Sequence, residues 1–352
     1  HVVKKIIEGR EDDIRPCVGA TYCLDRIYEA GDALCIHNAA TGRELTMPHT
    51  IPPAEKKRKV VIVGAGPAGL EAARVAAERG HNVVVFEAQP DPGGQVRLTA
   101  QSPRRREMIS IIDWRMAQCA ARDVEFHFNT WAEADDVINQ NPDVVIIATG
   151  GMPNTELLES GKDTPHVTTS WDIIAGDVKP AQSILIYDES GDHAALQAAE
   201  VAANAGAKIE IMTPDRTFSA SVMAMNLVPY MRSLQDKDTT FTVARRLLGV
   251  ELRGNKLEAR IGTDYSDHSD IQEYDQVVVN YGTLPLDELY FDLKNLSSNG
   301  GAVDHDALVN GHPQNIVKNT DSQFQLFRIG DAVSARNTHA AIYDALRLLK
   351  DI

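Results

Sequence analysis

Residues 59–88 read KVVIVGAGPAGLEAARVAAERGHNVVVFEA, and this stretch decides the fold. The four apolar residues 60–63 predict a strand buried on both faces, as in a parallel sheet. A helical pattern follows over residues 70–79, and Gly80 ends it. Residues 82–86 predict a second strand. This order of strand, turn, helix and strand predicts a Rossmann-like α/β unit.

The turn of this unit carries Gly64, Gly66 and Gly69 in G-x-G-x-x-G spacing. Gly64 permits a tight turn, Gly66 lets the backbone approach a pyrophosphate, and Gly69 lets helix and strand pack closely. The phosphates sit at the helix N-terminus, and Glu87 at the end of the second strand can bind ribose hydroxyls. The sequence therefore predicts a dinucleotide site with these candidate contacts: Gly64, Gly66, Pro67, Ala68, Gly69, Glu87 and Ala88.

Three further segments are expected to complete the site. Gly94 and Gln95 follow the acidic residue and can bring backbone and amide to a second part of the same dinucleotide. The apolar strand predicted over residues 143–150 ends in Ala148, Thr149 and Gly150. Near the C-terminus, Gly330 and Asp331 follow another predicted strand, where the carboxylate can hydrogen-bond a ribityl chain or a ribose.

Composition excludes several classes of protein. The 352 residues carry a formal net charge of −15, which argues against nucleic acid or an anionic membrane as the main partner. No apolar run approaches the ~18 to 20 residues that span a bilayer. The first residues lack the apolar core of a signal peptide, and the chain does not begin with Met, so we expect a fragment or a processed product. Four cysteines do not suggest a secreted disulfide scaffold, and a cytoplasmic location is expected.

Three of the cysteines, Cys17, Cys23 and Cys35, lie close together near the start of the chain. Their spacing suits thiolate ligands of an iron–sulfur cluster, because close turns let several sulfurs converge on one centre. Three cysteines leave a four-iron cluster one ligand short. The alternative is that they are small hydrophobic residues buried in a loop.

Residues 183–215 repeat the opening plan of strand, turn, helix, glycine and strand. Aligned on the strand, Asp188, Ser190 and His193 replace the three glycines. Asp188 places a negative charge where a pyrophosphate would lie, which opposes binding there. We expect Asp192 and His193 to begin a helix rather than to catalyse a reaction.

The ends of the two units also correspond: Asp143, Gly150 and Pro153 recur as Asp275, Gly282 and Pro285. The sequence therefore predicts an internal duplication in which the second copy has lost its phosphate turn. The expected division is a cysteine-containing segment at 1–57, an FAD- or ADP-binding domain at 58–180 and 286–352, and an inserted NAD(P)-binding-like domain at 181–285.

The segments RPCVGATYCLDRIY at 15–28 and CIHNAATGRE at 35–44, together with the order of the motifs, resemble the sequences of one family. The whole chain is similar to the C-terminal half of the trimethylamine dehydrogenase and 2,4-dienoyl-CoA reductase (NADH:flavin oxidoreductase) family. It is most similar to the members that demethylate dimethylglycine or N-methylproline. Those enzymes join an FMN-bearing (β/α)₈ barrel, an iron–sulfur loop and two nucleotide-binding domains like those of glutathione reductase.

The resemblance implies roles for the residues already singled out. Gly64, Gly66, Gly69, Glu87, Gly94, Gln95, Thr149, Gly150, Gly330 and Asp331 match positions that bind FAD, or only ADP in trimethylamine dehydrogenase itself. Cys17, Cys23 and Cys35 match three of four cluster ligands, whereas Ala20 stands where the family has the fourth cysteine. The FMN barrel with its acid/base residues is absent, so no catalytic residue is assigned to this chain.

Three functions are compatible with these observations. The first is the nucleotide-binding, electron-transfer half of a flavin-dependent N-methyl amine dehydrogenase that passes electrons to a protein such as an electron-transfer flavoprotein. The second is an NADPH-fed ene reductase like 2,4-dienoyl-CoA reductase, and the third is a structural ADP-binding module that docks an acceptor. In the first two, the barrel is a partner domain, and a homo- or hetero-oligomer is expected.

Overall fold

The computed structural model describes residues 2–158 and 160–352. Its strands are β1 (Lys59–Val63), β2 (Asn82–Phe86), β3 (Glu125–His127), β4 (Val144–Ile147), β5 (Gly151–Pro153), β6 (Val167–Thr169), β7 (Ser183–Asp188), β8 (Lys208–Met212), β9 (Thr239–Thr242), β10 (Arg246–Arg253), β11 (Lys256–Thr263), β12 (Ser266–Tyr274), β13 (Gln276–Asn280), β14 (Thr283–Pro285) and β15 (Gln325–Arg328). Its helices are α1 (Val2–Ile7), α2 (Tyr22–Tyr28), α3 (Pro67–Glu78), α4 (Gly94–Thr99), α5 (Ser110–Ala120), α6 (Ala134–Ile138), α7 (Ser170–Ala175), α8 (His193–Asn204), α9 (Ala224–Gln235), α10 (Glu288–Lys294), α11 (His305–Asn310) and α12 (Thr338–Leu349), with 3₁₀ turns at Glu11–Asp13, Arg106–Ile109 and Gly330–Ala332.

The chain folds into two compact α/β units. The first unit consists of the chain up to Arg97, Glu107–Gly151 and Pro285–Ile352, and the second consists of Leu98–Arg106 and Met152–Leu284. The predicted fold class, two α/β units with parallel sheets, is confirmed. Among the residues that the structure describes, no helix has the length and apolar character to cross a membrane.

The first unit is built on a five-stranded parallel sheet in the order β15-β4-β1-β2-β3. Val60–Val63 are buried, as the apolar run predicts. One face of the sheet packs against residues of α6 and α10, while α3 contacts β1 and β4 and is itself packed against α5 and α12. Because both faces are covered, the strands need apolar residues on both sides.

The second unit repeats this plan in the order β6-β13-β7-β8-β9. The alanine-rich helix α8 packs on one face of the sheet together with α7 and α9. A three-stranded antiparallel sheet of β10, β11 and β12 contributes to the core of the other face. The sequence analysis did not predict this antiparallel sheet.

The structure places the domain boundaries differently from the sequence analysis. Residues after Met152 already belong to the second unit, because β6 pairs with β13 and α7 packs on α8. The boundary predicted at 180/181 is therefore too late. Residues 2–57, from the segment 1–57 that was expected to be separate, belong to the first unit, and Leu98–Arg106 belongs to the second.

Matching backbone contacts support the duplication. The carboxylate of Asp143 accepts a hydrogen bond from the N–H of Lys59 at 2.7 Å, and the carboxylate of Asp275 accepts one from the N–H of Ser183 at 3.1 Å. Both donors are the first residues of central strands, β1 and β7. Gly150 and Gly282 follow with nearly equal positive φ angles of 75° and 77°. The two units thus share a hydrogen bond between an aspartate and the start of the central strand and a glycine of similar φ after the neighbouring strand.

A buried ionic network joins three parts of the first unit. The Glu71 carboxylate on α3 accepts hydrogen bonds from Arg74 at 2.7 Å and from Arg115 on α5 at 2.8 Å. Arg115 also donates to the carbonyl of His37 at 3.0 Å. Glu71 and Arg115 are fully buried. Burial alone would raise the pKa of the Glu71 carboxyl, but Arg74, Arg115 and Arg15 outweigh it and hold that pKa below its usual value.

We expect Glu71→Gln to lower the free energy of unfolding by ~3 to 5 kcal/mol, because it leaves the buried Arg115 guanidinium without a counter-charge and Arg74 with Glu78 alone. Urea unfolding followed by circular dichroism measures the effect. The matched control is Glu29→Gln, which breaks the exposed Arg26–Glu29 pair at 3.9 Å and should leave the midpoint unchanged. Equal effects of the two substitutions would contradict the assigned role of the network.

Candidate nucleotide-binding site

The turn between β1 and α3 is fixed by close approach of backbone segments. A Cβ atom on Gly64 would lie 2.3 Å from the carbonyl oxygen of Ala148, the residue that follows β4. A Cβ atom on Gly69 would lie 1.8 Å from the carbonyl oxygen of Gly64. Gly64 also has a φ of +104°, which disfavours other residues. Both positions therefore require glycine for the turn to form.

Gly66 differs from these two glycines because it faces open space. A Cβ atom there would meet no protein atom within 4 Å. Gly66 is the N-cap of α3, no side chain caps this end of the helix, and Pro67 occupies the first turn. Helix α3 begins at Pro67 rather than at the predicted Leu70. An uncapped N-terminus of a 12-residue helix beside open space is suited to bind phosphate oxygens.

The acidic residue of the motif lies beside the glycine turn. One Glu87 oxygen accepts a hydrogen bond from the N–H of Ala65 at 2.7 Å, and the other accepts one from the N–H of Gln89 at 2.8 Å. The structure therefore brings the end of β2, followed by Ala88, next to the turn. This is the arrangement in which a carboxylate binds ribose hydroxyls in dinucleotide-binding folds.

Two of the three remaining predicted segments, Gly94–Gln95 and Gly330–Asp331, meet in the structure although they are far apart in sequence. The Gln95 side-chain amide donates a hydrogen bond to the Asp331 carboxylate at 3.1 Å. A Cβ atom on Gly94 would lie 3.6 Å from the Cα of Gly66, and one on Gly330 would lie 2.9 Å from the Cβ of Ala68. Burial raises the pKa of the Asp331 carboxyl above its usual value. Gly94, Gln95, Gly330 and Asp331 thus surround the start of α3.

Ala148, Thr149 and Gly150 complete the group at the end of β4. The Thr149 hydroxyl donates to the carbonyl of Leu286, and the Leu286 N–H donates to the carbonyl of Gly150 at 3.0 Å. These bonds leave Thr149 and Gly150 engaged with the chain that returns from the second unit. All the predicted cofactor-binding segments therefore lie in the first unit, and the open space at Gly66 fits a nucleotide phosphate.

The cysteine segment is anchored on the helices of the first unit. The Nδ1 of His37 donates a hydrogen bond to the carbonyl of Pro16 at 3.0 Å, and Arg15 donates to Asn38 at 2.6 Å. The carbonyl of Cys35 is hydrogen-bonded to His339 on α12 at 2.9 Å. These contacts fix the backbone next to Cys17 and at Cys35.

The structure does not gather the cysteines around one centre. Cys17 and Cys23 are exposed, and Cys35 is half-buried. Within residues 2–158 and 160–352, no group of three His, Cys, Asp or Glu side chains is arranged to hold a metal ion. The iron–sulfur cluster stays a prediction from the resemblance, and no chemical step is assigned to it.

In the corresponding turn of the second unit, two carboxylates accept the hydrogen bonds of backbone N–H groups. Asp188, at the end of β7, accepts hydrogen bonds from the N–H groups of Ser190 at 3.2 Å and Gly191 at 3.0 Å. Asp192 is the N-cap of α8 and accepts from the N–H of Ala194 at 2.8 Å, which confirms the predicted cap. Burial, followed by the charge of Asp192, raises the pKa of Asp188 to about 6.

Asn280 is a residue of this turn that the sequence analysis missed. Its side-chain amide donates to Asp188 at 2.9 Å and to Asp192 at 3.2 Å. A signal for it was present, because the alignment that matches Asp143 with Asp275 also matches Ala148 with Asn280. In the first unit the same position is Ala148, which approaches the glycine turn through its carbonyl and its Cβ and has no polar side chain.

A family model described as pyridine nucleotide-disulphide oxidoreductase matches residues 58–345. The chain belongs to this family. It therefore contains a nucleotide-binding domain of the flavoprotein oxidoreductase type, in agreement with the open turn of the first unit.

The relatives of this oxidoreductase chain include N-demethylases and amine dehydrogenases. It is 68% identical over 352 residues, 100% of its length, to a probable N-methylproline demethylase of Rhizobium meliloti (strain 1021), of which it covers 52%. It is 42% identical over 362 aligned residues, again 100% of the chain, to the N,N-dimethylglycine/sarcosine dehydrogenase of Chromohalobacter salexigens, of which it also covers 52%. The solved structure of histamine dehydrogenase from Rhizobium sp. 4-9 matches 99% of the chain with a TM-score of 0.82 and 25% identity, and the chain covers 52% of it.

These relatives confirm the resemblance drawn from the sequence. The chain spans about half the length of the curated relatives it matches. Their activities belong to longer proteins, so they bear on this chain only as a basis for proposals.

We expect Gly66→Val to abolish tight nucleotide binding while leaving the fold intact. The added side chain enters the space in which the phosphates would lie, and it meets no protein atom close to its Cβ. Titration calorimetry with FAD and with ADP should show affinity reduced at least ~10-fold, which corresponds to ~1.4 kcal/mol. Gly69→Ala is the contrasting variant: its Cβ would clash with Gly64, so it should lower the melting temperature as well. Unchanged affinity in folded Gly66→Val would contradict the site.

We expect the free energy of unfolding of Asp188→Asn to increase, relative to that of the parent, as the pH rises. The pKa of Asp188 is raised in the folded state, so ionisation destabilises the fold progressively from about pH 4 through its folded pKa of about 6. Asparagine does not ionise, and the cost of its unpaired amide is the same at each pH. The difference in unfolding free energy between variant and parent should therefore shift by ~1 kcal/mol in favour of the variant between pH 5 and pH 8. A pH-independent difference, measured by urea unfolding, would contradict this assignment.

Proposed function

We propose that this chain is the nucleotide-binding, electron-transfer half of a flavin-dependent N-methyl amine dehydrogenase that delivers electrons to a protein acceptor. The observation that carries the proposal is the contrast between the two turns. The turn at Gly66 is open and uncapped, whereas the turn at Asp188 has its N–H groups bonded to carboxylates. One unit is therefore suited to hold a nucleotide and the other is not.

This contrast favours an amine, rather than a pyridine nucleotide, as the electron donor. Oxidation of an N-methyl group to an iminium, followed by hydrolysis, yields formaldehyde and the secondary amine and releases two electrons and two protons. The closed second turn disfavours NADPH as the source of those electrons. The identities to a probable N-methylproline demethylase and a dimethylglycine/sarcosine dehydrogenase support the same direction.

The residues of this chain would bind and orient the nucleotide. We assign the pyrophosphate to the N-terminus of α3 beside Gly66, the ribose to Glu87, and a further hydroxyl-bearing part to the pair of Gln95 and Asp331. FAD, when bound, would supply a redox-active isoalloxazine ring, whereas ADP would have a structural role. We favour FAD because Gln95 and Asp331 form a polar pair beyond the turn that ADP alone would not require.

The oxidation itself is assigned to the part of the relatives that this chain does not span. The first unit carries an exposed apolar surface that supports such an arrangement. Helix α1 exposes the side chains of Val2, Val3, Ile6 and Ile7. Val2 and Ile6 are four residues apart, as are Val3 and Ile7, so these side chains share one face of the helix. Tyr28 at the end of α2 is 72% exposed. We propose that a flavin-bearing barrel domain covers this apolar surface.

The test combines nucleotide identification with reductive half-reactions. Chromatography and absorbance of the nucleotide released on denaturation should identify FAD, and ADP would instead support the structural alternative. In the full-length protein that carries this chain, stopped-flow absorbance should show rapid flavin reduction by an N-methylated amino acid and none by NADPH. The reverse pattern would favour the ene-reductase alternative, for which a 37% identical multifunctional alkene reductase/demethylase of Caballeronia cordobensis is a precedent.

A further inference from the structure

The turn between β7 and α8 uses its own acids to satisfy donors that a nucleotide-binding turn would present to phosphate. Asp188 takes two backbone N–H groups, those of Ser190 and Gly191, and the side-chain amide of Asn280. Its other oxygen is buried and has no hydrogen-bond partner among the described residues. The side chain as a whole is 1% exposed. Asp188 is thus part of the turn's interior rather than a solvated surface acid.

Asp192 is a second carboxylate in this turn, and it bonds to the start of α8, where a phosphate would otherwise bind. It accepts from the first-turn N–H of Ala194 at 2.8 Å, and its other oxygen accepts from the Ser190 hydroxyl at 2.8 Å. Asn280 donates to both acids and so bridges them. The equivalent N-cap in the first unit is Gly66, which has no side chain to make such a bond.

The geometry points to Asp188 and Asp192 as specificity determinants that stand in for the pyrophosphate and exclude pyridine nucleotides from the second unit. Two features support this assignment. The donors that would bind phosphate oxygens are already engaged, and a phosphate placed there would lie against two carboxylates. The inference deepens the proposed function, because it names the groups that prevent reduction by NADPH.

The rest of the second unit keeps the form of a nucleotide-binding domain. Its strands β13-β7-β8-β9 match β4-β1-β2-β3 of the first unit in order, and the φ angles of Gly282 and Gly150 are nearly equal. Helix α8 has 12 residues, as α3 has. Removal of the two carboxylates should therefore expose a latent phosphate site rather than create one from an unrelated surface.

The experiment replaces both acids and measures binding directly. The variant Asp188→Gly/Asp192→Gly is made in a Gly66→Val background, which blocks the open turn of the first unit. Calorimetric titration with inorganic pyrophosphate and with NADPH should show saturable binding at least tenfold tighter than in the Gly66→Val parent. A folded double variant with no gain in affinity would overturn the inference, as would saturable NADPH binding by the second unit of the parent.

Two further variants keep the result interpretable. Asp188→Asn/Asp192→Asn removes the charges but keeps acceptor oxygens, so it is used if the glycine variant does not fold, and a gain in affinity is again expected. Asp236→Asn/Asp238→Asn removes two exposed acids of the same unit and changes the net charge equally. A gain in this control equal to that of the turn variants would overturn the inference, because it would show an effect of overall charge. None of these titrations requires amine oxidation, so failure of the proposed function is detected separately.

Discussion

The site in the first unit depends on one steric constraint: three backbone segments meet where no side chain fits. Gly64, Gly69 and the carbonyl of Ala148 approach so closely that a single Cβ atom would separate them. This contact sets the distance between β1, α3 and β4, and with it the direction in which the N-terminus of α3 points. Glu87, Gln95 and Asp331 are useful for binding only because that helix end is fixed among them.

The second unit shows what the same scaffold becomes when the constraint is relieved. Where the first unit has a bare glycine turn, the second has acids that bond to the backbone, and Asn280 occupies the position where the first unit has Ala148, which has no polar side chain. The hydrophobic core of the second unit is unaffected by this change in the turn, because the strands and helix α8 remain apolar and buried. Duplication thus conserved the packing while the two strand-to-helix turns diverged in chemistry.

The sequence predicts local features well and distant contacts poorly. The glycine spacing, the strand Asn82–Phe86 and the repeat were all readable, because each is encoded within a short stretch. The start of α3 was missed by three residues because the glycine-rich motif itself forms the first turn of the helix. The contact of Gln95 with Asp331 was not deducible, although both residues were assigned to the same site, because nothing in the sequence encodes their distance.

Charged residues were the hardest to place. Three adjacent arginines ordinarily face water, yet in the run Arg104–Arg106 Arg104 pairs with Glu200 and Arg105 contacts the His193 ring. Glu71, Arg74 and Arg115 gave no sign of burial, since charged residues on helices ordinarily face water. Their pairing depends on the packing of α3 against α5, which only the folded chain reveals.

That buried network also has a consequence for the cysteine segment. In a loop that holds a metal cluster, the metal–sulfur bonds supply part of the free energy of folding. Here Arg115 and Arg15 hold the carbonyl of His37, and His339 holds that of Cys35, so the loop is fastened to the helices by guanidinium and imidazole groups. These hydrogen bonds involve none of the three thiol groups, so this part of the loop's attachment does not depend on a bound cluster.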